Sequence, residues 1–332
     1  VAAFLPSHLT GQASRRQESF IMNEILTLTL NPALDIATAV DRLLPGHKLR
    51  CGSPRVDPGG GGINVARVAT RLGTRALALY AAGGPSGGEL QRLLDAEHVA
   101  AQCVPIQGST RESFTVREAA SGQEFRFVLP GPSLGGEEWM GCLEHCWVLA
   151  EQTRLVVASG SLPPGVPQDV YARLASGMRG PARLVLDASG PALQAALQVG
   201  VFAVKPSLSE LRELTGEALE GLPQQLQACR RLVAAGRAAM VALSLGSQGA
   251  LLVTAQGAWR APGLPVTVAG TVGAGDSFVA GLVVALARDA SAQEALRHAM
   301  AASAVAVQAA GTAQCDPQQF VAMLQQVQIE AV

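Results

Sequence analysis

From about residue 24 the chain alternates short runs of leucine and β-branched residues with longer stretches rich in Ala, Leu, Arg and Gln. The runs are ILTLTL (25–30), RALALYA (75–81), RLVVAS (154–159), ARLVLDAS (182–189), VFAVKP (201–206) and MVALSL (240–245). Apolar runs of this length predict strands buried on both faces, and the stretches between them predict helical crossovers. The expected fold is α/β, a Rossmann-type, mostly parallel sheet sandwiched by helices. Ligands in such sheets gather at the carboxyl ends of the strands. Here those ends carry NPALD (31–35), SGSLPPG (159–165), DASG (187–190), KPSLSE (205–210) and SLGSQG (244–249).

Two sections break this rhythm. Over about 35–57 and 111–129 the segments DIATAV, LRCGSPRV, SFTVREA and QEFRFVL read as strands without helices between them. They predict a small separate sheet, and their place near the ligand end suggests a lid or a subunit contact. Residues 1–21 lack helical period and are expected to form a loose extension ahead of a domain over 22–332. The apolar stretch 278–287 is about half the length that spans a bilayer, so it is expected to be a buried helix. The alanine-rich 299–311 then offers small side chains for close helix packing.

Composition narrows the function. Hydrophobic residues make up 48% of the 332, enough for a sizeable core, and 25 Lys+Arg against 26 Asp+Glu leave no global field to draw nucleic acid or an anionic membrane. Any anionic ligand must be held locally. The six cysteines are scattered and follow no secretory signal, which favours a reducing cytoplasm. Cys142, His145 and Cys146 have metal-like spacing but no second ligand pair to close a zinc site.

Four constellations carry candidate chemistry. PGGGGINVAR (58–67) runs Gly59, Gly60, Gly61 and Gly62 into a helical segment, where missing Cβ atoms and helix-start N–H groups admit hydroxyl or phosphate oxygens. Asn64 adds an amide that both donates and accepts. TVGAGDS (271–277) turns tightly at Gly273 and Gly275 into a helix start that makes an anion hole beside Asp276, although an acid there is also favoured by the helix dipole alone. Asp35, Asp187, Lys205, Glu210 and the Gly246–Gly249 turn supply carboxylates for Mg²⁺, a cation for phosphate and a turn for a nucleotide. Arg111 and Arg126, in the separate-sheet sections, have the planar fork that suits a phosphate.

In this order the motifs resemble the PfkB family of carbohydrate kinases, of ribokinase-like fold, and in particular its branch acting on fructose 6-phosphate. The segments that carry the resemblance are TLTLNPALD, KLRC, PGGGGINVAR, TRES, FRFVLPG, SGSLPPG, VKPSLSE, SLGSQGAL, TVGAGDS and Gly311-Thr312. The resemblance implies Asp276 as general base, with the anion hole at Gly273, Ala274 and Gly275. It implies sugar-phosphate contacts from Asp35, Lys48, Arg50, the four glycines, Asn64, Arg111, Arg126 and Ser161. ATP is expected at Lys205, Ser207, Ser244, Gly246, Gly249 and Thr271, with Glu210 ordering Mg²⁺ through water. K⁺ is expected on the backbone of Val272, Ala306, Ala309 and Gly311, and a homodimer through the β lid. Two departures stand out: Ser207 replaces the Asn of the family's Asn-x-x-Glu, and Ala309 and Ala313 replace polar residues of the cation loop. Tagatose-6-phosphate kinase, 1-phosphofructokinase and a non-catalytic sugar or nucleotide sensor are the competing expectations.

Overall fold

The computed structural model describes residues 23–309 and 311–332. The expectation for residues 1–21 lies outside the described residues. Chain order begins with β1 (Asn23–Thr29), β2 (Ala33–Val40), β3 (Arg55–Gly59), α1 (Gly61–Arg71), β4 (Ala76–Ala82), α2 (Gly84–Ala96) and β5 (Ala100–Pro105). It continues through β6 (Arg111–Glu118), β7 (Glu124–Val128), α3 (Gly136–Ala150), β8 (Thr153–Ser159), α4 (Val170–Gly177), β9 (Arg183–Asp187), α5 (Gly190–Val199) and β10 (Val201–Val204). The rest is α6 (Leu208–Thr215), α7 (Leu222–Ala234), β11 (Ala238–Ser244), β12 (Gly249–Thr254), β13 (Gly257–Pro262), α8 (Ala274–Ala287), α9 (Ala292–Gln308), α10 (Pro317–Leu324) and β14 (Glu330–Ala331).

Ten strands form the large sheet in the order β14-β13-β12-β11-β10-β9-β8-β1-β4-β5. The seven from β11 to β5 are parallel, and β12 to β14 extend the sheet antiparallel. Successive side chains on the central strands enter opposite cores: Leu155 and Val157 pack with α1, α8 and α9, whereas Val156 and Ala158 pack with α3 to α5. That two-sided burial is why these strands lack polar alternation. The apolar runs noted in the sequence are β1, β4, β8, β9, β10 and β11. The antiparallel extension was not foreseen, because its short, glycine-punctuated strands lie inside what reads as turn sequence.

From Ser277 onward every residue of α8 is buried. A Cβ on Gly281 would lie 2.3 Å from the His298 carbonyl oxygen, so the helix meets α9 at a distance only glycine allows. Among the described residues no helix is long and apolar enough to cross a membrane.

The interrupted sections form a second sheet, ordered β3-β2-β6-β7. The chain passes from β1 to β2 through Leu30, Asn31 and Pro32 alone, which hangs this sheet over the carboxyl edge of the large one. LRCGSPRV corrects one expectation: only its last two residues are strand, because β3 starts at Arg55. Residues 41–54 contain Pro45, Gly46, Gly52 and Pro54, and the bonds Gly52 makes with β2, its N–H to the Ala39 carbonyl and its carbonyl from the Thr38 hydroxyl, both at 2.9 Å, do not extend into a ladder. All six cysteines are free thiols. Cys142 and Cys146 sit inside the core, while His145 is exposed and bonds the Gly141 carbonyl, so the three do not converge.

Candidate active site

The carboxyl ends of β1, β8, β9 and β10 meet the N-termini of α1 and α8 under the small sheet. A cavity of about 340 Å³ opens there, bounded by Asp35, Gly60, Gly61 and Asn64 on one side and by Thr271, Val272, Gly273, Gly275 and Asp276 on the other. Arg111 and Arg126 reach into it from β6 and β7.

The glycine run is fixed by packing as much as by ligand access. A Cβ on Gly59 would fall 2.5 Å from the Asp35 carboxyl, on Gly60 2.8 Å from Thr29, on Gly61 2.2 Å from the Ser159 hydroxyl and on Gly62 2.5 Å from the Thr29 hydroxyl. The same Thr29 hydroxyl accepts the Ile63 N–H at 3.0 Å and so caps α1 from a neighbouring strand. Asn64, one residue on, is delivered to the cavity floor.

Gly273 is the N-cap of α8 with φ +77°. Ala274 N–H donates to Thr271 O at 3.3 Å, and the N–H groups of Gly275 and Asp276 have no acceptor among the described residues. Those orphan donors, at the positive end of a 14-residue helix, can receive an anion. Asp276 faces the cavity but is otherwise enclosed by protein. Burial and the nearby Asp187 push its carboxyl up to about 6, against a bond from Asn64 Nδ2 to Oδ2 at 2.8 Å and the charge of Lys205. The Lys205 ammonium is 7% exposed and pairs with Asp187 at 3.0 Å. It also lies 3.8 Å from where a Gly275 Cβ would stand. Burial works against its charge, yet Asp187, Glu210 and Asp276 hold its pKa above the usual lysine range.

On the small-sheet side, Arg111 donates to the carbonyls of Asn31 and Leu129, both at 3.1 Å, while its buried Nε has no protein partner. Burial raises the Asp35 carboxyl; Arg126, the Thr312 hydroxyl and Arg111 oppose that, and Asp57 adds to it.

Further along the edge, Ser207 is the N-cap of α6. Its hydroxyl accepts the Glu210 N–H at 3.2 Å, and Glu210 Oε2 accepts the Ser207 N–H at 2.7 Å, a closed capping box. Ser207 also bridges Ser244, which leads into Gly246 and Gly249. Gly249 has φ +100° and no room for a Cβ, which would sit 1.9 Å from Ala261 O.

Five expected sugar contacts do not line the cavity, and of these Gly59 and Gly62 are buried in the run itself. Lys48 and Arg50 are exposed in the 41–54 segment, and Ser161 is exposed, its hydroxyl accepting from Asn31 Nδ2 at 3.2 Å. Of the cation-loop positions, Val272 and Gly311 line one hollow beneath the small sheet, whereas Ala309 lines another beside Arg71. Ala306 is buried, with its carbonyl accepting from Ala309 N–H at 3.3 Å.

Residues 28–319 match the model of the pfkB family of carbohydrate kinases. The chain belongs to that family. It is 48% identical over 293 residues to ATP-dependent 6-phosphofructokinase isozyme 2 of Mycobacterium tuberculosis, covering 88% of this chain and 86% of the relative. It is 40% identical over 296 residues to the Escherichia coli K12 protein of the same name, covering 89% and 96%. The crystal structure of E. coli phosphofructokinase-2 in complex with fructose 6-phosphate superposes with a TM-score of 0.87 at 37% identity, over 92% of this chain and 99% of that one.

In this pfkB kinase several site groups were not anticipated. Asp187, in sequence one carboxylate among several, anchors Lys205. Thr312 donates its hydroxyl to Asp35 at 3.4 Å, and its N–H lies 3.5 Å from Asp57. A hydroxyl acting 277 residues from its partner leaves no spacing signal; only the Gly311-Thr312 pair, in its place in the motif order, marked the loop.

Gly273→Ala tests the anion site. The new Cβ would stand 2.6 Å from Ala313 N in a left-handed conformation, costing roughly 1–2 kcal/mol before the clash is counted. Turnover is expected to fall at least about tenfold, with a lower melting temperature, by steady-state kinetics and thermal unfolding.

Proposed function

We propose that this pfkB kinase is an ATP-dependent 6-phosphofructokinase, transferring the γ-phosphoryl of ATP to the 1-hydroxyl of fructose 6-phosphate to give fructose 1,6-bisphosphate. The observation that carries the reading is one cavity holding a half-buried carboxylate beside unpartnered helix N–H groups at one end and two guanidiniums at the other. A substrate with a hydroxyl at one end and a phosphate at the other fits that polarity.

Asp276 takes the proton of the attacking hydroxyl, and its raised pKa brings it nearer to neutral pH, where a base is most effective. The N–H groups of Gly275 and Asp276, with Lys205, stabilise charge on the transferring phosphoryl. Asp35, Asn64 and the glycine-run backbone orient the sugar, and Arg111 and Arg126 hold its phosphate. Ser207, Ser244, Gly246, Gly249 and Thr271 line the path for ATP.

Among the described residues no cluster of three or more His, Cys, Asp or Glu side chains suits a metal ion. That fits Mg²⁺ bound mainly through nucleotide phosphates and water, with Glu210 Oε1 left by the capping box to hold a water. When bound, the ion would supply charge neutralisation to the phosphates. K⁺ is assigned to carbonyls of the Val272 and Gly311 loops, as suggested by the E. coli phosphofructokinase-2 structure in complex with potassium. The exposed apolar side chains Phe125, Phe127, Val128 and Leu129 on and after β7 support a homodimer through the small sheet. The expected compartment is the cytoplasm.

Because Asp276 must be ionised to act, kcat/KM is expected to fall about tenfold per unit below a midpoint near pH 6, seen in a kcat/KM profile from pH 5 to 9. The product gives the more specific test. ³¹P NMR is expected to show a second phosphomonoester at C1 of fructose 6-phosphate, formed with ADP; a phosphate at another carbon, or ADP release without sugar, contradicts the reading.

A further inference from the structure

Arg67 ends the glycine-run motif, and none of the roles above uses it. Its side chain is wholly buried, at 0% exposure, one helical turn after Asn64 on α1. Its fork is fully engaged. Nε and Nη2 donate to the two oxygens of Glu97 at 2.9 and 2.6 Å, a bidentate pair. Nη1 is directed at three acceptors: Pro58 O at 3.0 Å, Asn64 Oδ1 at 3.1 Å and Thr312 O at 3.1 Å. Arg71 closes the arrangement, donating to Glu97 Oε2 at 2.8 Å and to Ala313 O at 2.9 Å.

These acceptors belong to the site. Pro58 precedes the glycine run, Thr312 holds Asp35, and Asn64 holds Asp276. An amide has one oxygen and one NH₂ end. With Oδ1 committed to a guanidinium behind it, Asn64 can only present Nδ2 to the base.

We propose that Arg67, clamped by Glu97, is a positioning residue that fixes the orientation of Asn64 and so keeps Asp276 ionised and aimed, while tying the Thr312 loop to the same point. The proposal rests on Asp276 being the catalytic base. Lysine has no fork, so Arg67→Lys keeps the charge but cannot hold Glu97, Asn64 and Thr312 together. Asn64 is then free to turn, and Asp276 loses a hydrogen bond that favours its charged form. The charged groups facing Asp276 are Asp187 from β9, Lys205 after β10 and Asp35 from β2, and the substitution leaves all three in place.

The test is a ¹³C-carboxyl aspartate NMR titration of the wild type and Arg67→Lys, with the Asp276 resonance assigned by its loss in Asp276→Asn. The pKa is expected to rise by about one unit above the wild-type value. In kinetics, the fractional loss of kcat/KM for the sugar phosphate should then be about fivefold greater at pH 6 than at pH 8.5, with the KM for ATP within twofold. Glu97→Gln, which weakens the clamp without removing the guanidinium, should move both readouts the same way by less, and it decides the matter if Arg67→Lys does not fold. An unmoved Asp276 pKa in the folded variant, with any activity loss equal at all pH values, overturns the proposal and leaves Arg67 a purely structural ion pair. The titration needs no turnover, so it separates this outcome from a wild type that lacks kinase activity.

Discussion

Asp276→Asn is expected to lower turnover by at least about 10²- to 10⁴-fold and, at the same time, to raise the melting temperature at pH 7. The two effects share one cause. Burial holds the carboxyl near 6, against 3.8 for an unperturbed aspartate. Between those values the native protein binds more protons than the unfolded chain, so this group's contribution to stability falls as pH rises through that window. At pH 7 the charged form therefore costs on the order of 2–3 kcal/mol. An amide removes the cost and can still accept from Asn64 through its oxygen. The melting temperature should rise by about 2–6 °C at pH 7, and the difference should shrink toward pH 4, where the wild-type carboxyl is itself neutral. Thermal unfolding across pH, alongside steady-state kinetics, checks both halves. An inactive variant that also melts earlier at pH 7 contradicts a base held at a stability cost.

Arg126→Ala and Arg111→Ala are expected to raise the KM for the sugar phosphate by about 10- to 100-fold each, the equivalent of roughly 1.5–3 kcal/mol for a hydrogen bond to a charged group. The KM for ATP should stay within about threefold. The two should differ in stability. Arg126 lies on an exposed strand, so its loss is expected to leave the melting temperature nearly unchanged. Arg111 ties β6 to the Asn31 and Leu129 carbonyls, and truncating it leaves both carbonyls without that donor. Steady-state kinetics in both substrates and thermal unfolding of each variant separate phosphate binding from structural support.

The large sheet was legible because strands buried on both faces must be apolar at nearly every position, which β1, β8 and β9 satisfy. The small sheet was legible from the opposite signal, strands without intervening helices. Its boundaries were less so: residues 49–56 have strand-like composition, but a strand needs a ladder, and the Gly52 bonds to β2 do not extend into one over 49–54. The antiparallel β12 to β14 were hidden by Gly246, Gly249 and Gly257, which mark turns whichever way the chain leaves them.

The site divides in the same way. Gly273, Asp276, the glycine run and Lys205 were visible because a tight turn, a helix start and a lone cation at a strand end each leave a local trace. Asp187 and Lys205 share one constellation in the sequence, whereas Thr312 and Arg67 act on partners 277 and 30 residues away, and a wholly buried arginine reads in sequence like any surface arginine on a helix. Lys48 and Arg50 show the converse, since their local motif matched while the fold leaves them exposed outside the cavity. Ser207, a departure from the family pattern, is explained by its place as a helix cap, where serine closes a capping box with Glu210.

The most direct measurement is a coupled ADP-release assay with fructose 6-phosphate, tagatose 6-phosphate, fructose 1-phosphate, free fructose and ribose, each with and without K⁺. Fructose 6-phosphate is expected to give a kcat/KM at least about tenfold above every other acceptor, the equivalent of one hydrogen bond to a charged group well placed in the transition state. A preference for fructose 1-phosphate or a free sugar, or no ADP release with any of them, would contradict the assignment.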